Sequence, residues 1–280
     1  MTRPSIETEI HASIGRLTAA EARAARALLA DYPSLGLAPV AEFARSAGAS
    51  GATVLRFIGQ IGFASYPDFQ RRLREELSER SKSPLQRAPS AAVVGAADDF
   101  LPSFAGQIAE NMHETVQRLP AAEFEAVCAL LTDARGQCHI AGGRFTGPIA
   151  SYLAAHLRVV RSGVRRLEEA VSSRADQILD VKARDCVVIY DIRRYDGDLL
   201  LLAKAARARG AQVVLITDSW ISPVSRQARL VLPCNVEVGR AWDSSAALFV
   251  LTEAIIARVT ERGWETARAR MAAKEDLADS

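Results

Sequence analysis

Two short stretches hold residue types from which binding chemistry can be built. The first is Ile140 to Gly147, IAGGRFTG, lying after an apolar run that reads as a strand and before one that reads as a helix. Such a junction aims backbone N–H groups and the positive end of a helix dipole at whatever sits above the sheet, which favours an anion. Gly142 and Gly147 fit the outer glycines of the dinucleotide fingerprint G-x-G-x-x-G. Arg144, however, stands where a pyrophosphate needs bare backbone. A nicotinamide cofactor is therefore not expected. Gly142, Gly143, Arg144 and Thr146 suit a single phosphate or carboxylate, and the structural alternative is a tight turn without a ligand.

The second stretch is Tyr190 to Asp198, YDIRRYDGD, at the carboxyl end of the most apolar strand-like run. Ligands of open parallel sheets bind at that edge. Arg193 and Arg194 could hold an anion, and Asp191 and Asp196 could bond hydroxyls; a charged turn closed by its own ion pairs would use the same residues. Adjacent strand ends are about 5 Å apart, so Arg144, Arg193 and Arg194 could converge on one anion. Two more polar clusters, Asp218-Ser219 and Trp242-Asp243-Ser244-Ser245, precede helical runs, where helix capping suffices to explain them.

Other chemistries find little support. His11, His113, His139 and His156 form no H-x-x-x-H or H-E-x-x-H pattern, so no metal site is expected. Cys128, Cys138, Cys186 and Cys234 include no C-x-x-C pair and read as small core residues of a reducing compartment. No Ser/His/Asp or Cys/His set is legible. The acids nearest the two loops, Glu168, Glu169 and Asp243, would be the bases of an isomerase.

A third constellation lies near the N-terminus, in Val40 to Phe63, VAEFARSAGASGATVLRFIGQIGF. A helix, a glycine-containing turn and a second helix opening at a serine make the grammar of a helix-turn-helix, though an ordinary helical hairpin shares the spacing. Val40, Phe43 and Ala44 supply one buried face, and Val54, Phe57, Ile58 and Ile61 the other. That leaves Gly51, Ala52, Thr53, Arg56 and Gln60 facing outward behind the cap Ser50. Arg56 could fork onto guanine and Thr53 could bond phosphate or a base edge. Arg71, on the next helix with Arg72 and Arg74, could position the domain on phosphate or lie on a solvated face beside Glu75, Glu76 and Glu79.

The elements that must position these residues divide the chain. Residues 1–80 read as helices only: a capping box at Thr18-Ala19-Ala20-Glu21, then helices over about 39–47, 51–61 and 68–79. Residues 81–97, rich in Ser, Pro and Ala, read as a linker. Residues 98–280 open with helices over about 98–118 and 121–134. Strands follow at 137–141, 164–167, 185–190, 211–217 and 228–232, with helices at 148–159, 199–209 and 244–262. Continuous apolar strands alternating with helices predict a doubly wound α/β parallel sheet after the α-helical domain.

Composition agrees. Of 280 residues, 49% are hydrophobic and 24% charged, which excludes a disordered chain. The net charge of +2 does not announce nucleic acid, and all but four of the 35 basic residues are arginine. No apolar run suits a membrane span and Met1 to Ile14 has no secretory h-region, so a cytoplasmic protein is expected.

The pattern SxxTVxRFxxxxGFxxYxxF, here Ser50 to Phe69, resembles the N-terminal domain of MurR/RpiR-type transcriptional regulators, and about 127–262 resembles their sugar isomerase (SIS) domain. The resemblance implies a helix-turn-helix domain followed by a Rossmann-like SIS domain. It also implies operator DNA and a small anionic metabolite such as a sugar phosphate as partners, no cofactor, and a homodimer or homotetramer. A sugar-phosphate isomerase on the same fold is the alternative. Phosphosugar-binding SIS domains usually carry G-x-G-x-S and S-x-S-G-x-T loops. Here these become Gly142-Gly143-Arg144-Phe145-Thr146 and Asp191-Ile192-Arg193-Arg194-Tyr195-Asp196-Gly197, so arginines would replace hydroxyls or the ligand would be lost.

Overall fold

The structure, a computed structural model, describes residues 5–81, 83–87, 99–133, 135–167 and 176–278. Backbone contacts divide it into two compact units, Met1–Gln86 with Ser219–Ile221, and Arg87–Asp218 with Ser222–Ser280. Most of the expected linker, 88–98, lies outside the described residues; its first part holds one helical turn, Pro84–Arg87.

The first unit is helical: α1 (Ile6–Ser13), α2 (Ala19–Ala30), α3 (Ser34–Leu37), α4 (Val40–Ser46), α5 (Gly51–Gln60) and α6 (Tyr66–Ser81). Thr18 and Glu21 form the expected capping box, which satisfies two orphan N–H groups at the start of α2. One core gathers Leu28, Phe43, Val54, Phe57, Ile58, Phe69 and Leu73, with Phe43 edge-on to Phe57 at 6.4 Å. The carboxylate of Glu76, buried on α6, accepts from Ile6 N at 3.0 Å and Tyr32 Oη at 2.7 Å, fastening both N-terminal helices to α6. Such charge-assisted bonds are the strong class.

The second unit contains α7 (Pro84–Arg87, at its boundary), α8 (Phe100–Arg118), α9 (Ala121–Thr132), β1 (Cys138–Gly142), α10 (Gly147–Val160), β2 (Val164–Arg166), β3 (Cys186–Asp191), α11 (Gly197–Ala208), β4 (Gln212–Asp218), β5 (Leu230–Cys234), α12 (Ala246–Arg262) and α13 (Trp264–Ala278). The five strands are all parallel in the order β2-β1-β3-β4-β5. Alternate residues feed opposite faces. Cys138, Ile140, Val188, Tyr190, Val214 and Ile216 pack with α9, α10 and α12, whereas Ala141, Val187, Ile189, Val213 and Leu215 pack with α11. Burial on both faces explains why these strands read as unbroken apolar runs. All four cysteines are free and buried. The helix α13 was not anticipated: Ala267 is its one fully buried residue, with Met271 partly packed, too sparse a stripe to announce a helix.

Candidate functional site

In the helical unit, Gly48 at φ +56° turns the chain out of α4, and the Ala49 N–H returns to Ala44 O at 2.9 Å. Ser50 then caps α5 by accepting from Thr53 N at 3.2 Å. This fixes the second helix of a helix-turn-helix pair against the first. The open face of α5 consists of Ala52, Leu55, Arg56, Gly59 and Gln60. Ala52, Arg56 and Gln60 stand where the spacing places them; Leu55, 48% exposed, was missed.

Thr53 differs from the expectation. It is buried, its hydroxyl lies 2.9 Å from Ser50 Oγ, and it accepts from Arg56 Nη2 at 3.3 Å. A side chain three residues after the cap folds back onto the capping hydroxyl, so Thr53 shapes Arg56 and does not face outward. Gly51 is half-buried, and a β-carbon there would stand 3.5 Å from Val40 Cγ1. Glu21 also reaches Arg56, at 3.9 Å. Its carboxyl is held below the usual range by the Thr18 N–H, by the Thr18 hydroxyl and by Arg56. Arg56 is thus exposed yet steered from two sides. Arg71 is equally exposed but bonded by Asp68 at 2.8 Å, with Glu75 at 3.9 Å, the internal pairing of a solvated face.

In the α/β unit the sequence of strands reverses direction between β1 and β3, and both candidate loops leave the carboxyl edge there. The β1 loop is closed on itself. A β-carbon on Gly142 would lie 2.8 Å from Gly147 N and from the Thr146 carbonyl. Gly143 N donates to Thr146 Oγ1 at 2.9 Å, and that hydroxyl donates to Tyr190 O at 2.7 Å. Thr146 is buried and serves as a strap to β3, so its hydroxyl and the Gly143 N–H are both engaged. Gly142→Ala should therefore cost about 1–3 kcal/mol by overpacking backbone against backbone, read as a lowered midpoint in urea denaturation. An unchanged midpoint would mean that the turn has room to open.

The three arginines part company. Arg144 is exposed, with its guanidinium 5.2 Å from the centre of the Phe145 ring, which in turn meets Trp242 edge-on at 5.5 Å. Both rings are more than half exposed, at 58% and 60%. Arg194 is exposed at φ +64°, while Arg193 beside it turns inward with a side chain only 2% exposed. Arg193 Nη2 lies 3.7 Å from Glu237 Oε2, and its Nε 3.6 Å from Asp243 Oδ2. Asp243 simultaneously accepts both nitrogens of Arg87, at 2.6 and 2.9 Å. Two guanidinium groups and two carboxylates thus lie together, largely out of water.

The expectation that Asp243 and Asp218 serve as helix caps does not hold. Asp243 is a shared ion-pair partner, and Ser245, the residue before α12, makes no side-chain cap bond. Asp218 accepts from Arg193 N at 2.6 Å and Tyr195 Oη at 2.8 Å. Arg87 and Glu237 carried no local signal, because they join the site from far along the chain.

Asp191 is buried as well. Its Oδ1 accepts from Asp196 N at 3.2 Å, its Oδ2 accepts a short bond from Ser222 Oγ, and its carbonyl accepts from Thr217 Oγ1 at 2.6 Å. Burial pushes its carboxyl up to about 7, helped by nearby Asp218 and Asp196 and opposed by the Ser222 and Asp196 hydrogen bonds. Asp196 caps α11 by accepting from Asp198 N at 2.9 Å. These two acids have engaged oxygens and hold the loop in place.

Glu168 and Glu169 lie outside the described residues. His139 is buried in β1 beside Asp185, at 3.3 Å, and burial lowers its pKa. Among the described residues no group of three or more His, Cys, Asp or Glu could hold a metal ion, and no helix is long and apolar enough to cross a membrane.

Residues 130–258 match the SIS domain family model. The structure resembles the sugar isomerase domain of an RpiR transcription factor from Sphaerobacter thermophilus, at 21% identity and TM-score 0.60, over 64% of this chain and 99% of that one. It also resembles the Vibrio vulnificus NanR protein complexed with ManNAc-6P, at 16% identity and TM-score 0.56, over 98% of both chains. A third likeness is to an Escherichia coli CFT073 protein in complex with a sugar phosphate, at 17% identity and TM-score 0.53, over 62% of this chain and 95% of that one. No curated protein matches by sequence. A five-stranded parallel sheet covered by helices, preceded by a helical unit, identifies the chain as a SIS-domain protein with the fold of the RpiR type.

Proposed function

We propose that the chain is a transcriptional regulator that binds operator DNA through residues 1–80 and senses a small anionic metabolite, of the sugar-phosphate class, through its SIS domain, residues 98–280. The observation that carries this reading is the pairing of a capped helix-turn-helix, with Arg56 presented on its open face, with a SIS domain later in the same chain. NanR, which shares this fold over its whole length, was captured with ManNAc-6P, and the E. coli neighbour with another sugar phosphate; both support the ligand class. The ligand shifts the balance between arrangements that can and cannot hold DNA. A homodimer or homotetramer in the cytoplasm would match a two-fold operator.

The isomerase alternative lacks a free base in the described edge: Asp191, Asp218 and Asp243 are all engaged as acceptors. We therefore propose that the SIS domain binds without turnover.

Arg56→Ala tests the DNA half. It should weaken binding to the operator by about 1–3 kcal/mol, and by less on random duplex, because a guanidinium reading guanine discriminates while one on phosphate does not. Equal losses on both duplexes, measured by fluorescence anisotropy, would reassign Arg56 to the DNA backbone.

A further inference from the structure

Among the described residues of this edge, Asp243 is the one carboxylate that serves two buried arginines. Its bond to Arg87 is bidentate and short, 2.6 and 2.9 Å, whereas Arg193 stands 3.6 Å away. The three side chains are 9%, 12% and 2% exposed for Arg87, Asp243 and Arg193 respectively. Arg87 is the first residue of the α/β unit, so its anchor fixes where the chain enters that unit. Arg193 belongs to the loop after β3. Asp243 follows Trp242, whose ring rests on Phe145 of the loop after β1. One carboxylate therefore links the entry of the chain to both loops of the switch point.

We propose that the Asp243 carboxylate occupies the place of the ligand's anionic group, and that a phosphate monoester competes with it for Arg193 and so releases Arg87. This rests on the reading of the SIS domain as an anion sensor and supplies its coupling device.

The chemistry is an exchange of acceptors. A phosphate offers a guanidinium two oxygens in the geometry that a carboxylate offers, and carries more charge. Arg193 holds Asp243 at a distance beyond a good hydrogen bond, so a phosphate bonding it closely gains what the carboxylate does not supply. Once an anion is seated, Asp243 faces a like charge in a poorly hydrated place and is driven away. Its loop moves, and Arg87 loses its bidentate partner. The ligand shifts the equilibrium by the difference between its affinities for the two arrangements. Glu237, 28% exposed and 3.7 Å from Arg193, adds negative charge that the incoming anion must also overcome.

Arg87 itself supplies the reporter, because trypsin cuts after arginine and Ala88 follows. The full-length protein is treated with trypsin, cleavage at Arg87–Ala88 is followed by mass spectrometry, and inorganic phosphate is titrated against chloride at matched ionic strength. The same samples are melted to detect phosphate binding. Phosphate should raise the melting temperature and speed the Arg87 cut severalfold. Asp243→Asn should cut about as fast without phosphate as the wild type does with it, and should respond little to more. Hydrogen exchange of the wild-type amides of Leu85 to Arg87, which needs no variant, should quicken with phosphate in parallel. A melting shift with no change in cutting or exchange would overturn the latch while leaving the anion sensor standing. Neither a shift nor a change would overturn both. Asp243→Asn that folds, binds phosphate and cuts no faster than wild type would also overturn the latch.

Discussion

Replacing Asp191 with asparagine is expected to stabilise the protein above pH 7 and to flatten its stability between about pH 4 and 7. The folded carboxyl titrates near 7 because burial disfavours its charged form, against 3.8 in an unfolded chain. Between those values the folded state keeps the proton that the unfolded state has lost. Stability contributed at low pH is therefore lost progressively as the pH rises, and the full penalty applies above 7. At ~1.4 kcal/mol per pKa unit, the penalty is of the order of 4 kcal/mol. Asparagine removes the titration with little change in shape: its oxygen can accept from Asp196 N, and its amide can donate to Ser222 Oγ. Urea denaturation of both proteins from pH 4 to 8 measures the difference. A variant less stable than wild type at pH 8, or an unaltered slope with pH, would show that the Asp191 charge is well solvated.

Arg193→Ala should instead destabilise the protein, by about 2–4 kcal/mol, because it strips a buried cation from Asp243 and Glu237. The sequence suggested a dispensable ligand contact; the 2% exposure of the side chain makes it structural as well. Asp243 keeps Arg87, which holds the loss below that of an isolated buried pair. The double variant Arg193→Ala with Asp243→Asn should cost less than the sum of the two single changes, since the partners share one interaction. Strict additivity in equilibrium unfolding would mean that the 3.6 Å pair carries no coupling.

The strands were legible because continuous runs such as DCVVIY and AQVVLIT have no polar face, and burial on both sides of the sheet explains that directly. The capping box of α2 and the Ser50 cap of α5 were equally local, each decided within four residues. The site was harder. Both loops could be placed at the carboxyl edge, but the inward turn of Arg193 against the outward turn of Arg194 depends on one backbone angle. No residue type signals it, since a positive φ at arginine is unfavourable in itself. Arg87 and Asp243 lie 156 residues apart, a pairing that only the tertiary structure creates. Thr53 was misplaced for a smaller reason: periodicity gives the face of a helix, whereas the cap gives its side chain a nearer partner.

The central claim is that one chain binds a specific duplex and that an anionic metabolite alters that binding. Fluorescence anisotropy of the full-length protein, on duplex from the promoter region of its own gene and on random duplex at equal salt, tests it most directly, with sugar phosphates added in turn. The account predicts that the promoter duplex binds at least about a thousandfold more tightly than random DNA. It also predicts that one sugar phosphate changes that affinity by roughly 5- to 150-fold. Equal affinity for the two duplexes, together with turnover of a sugar phosphate by the same preparation, would contradict it.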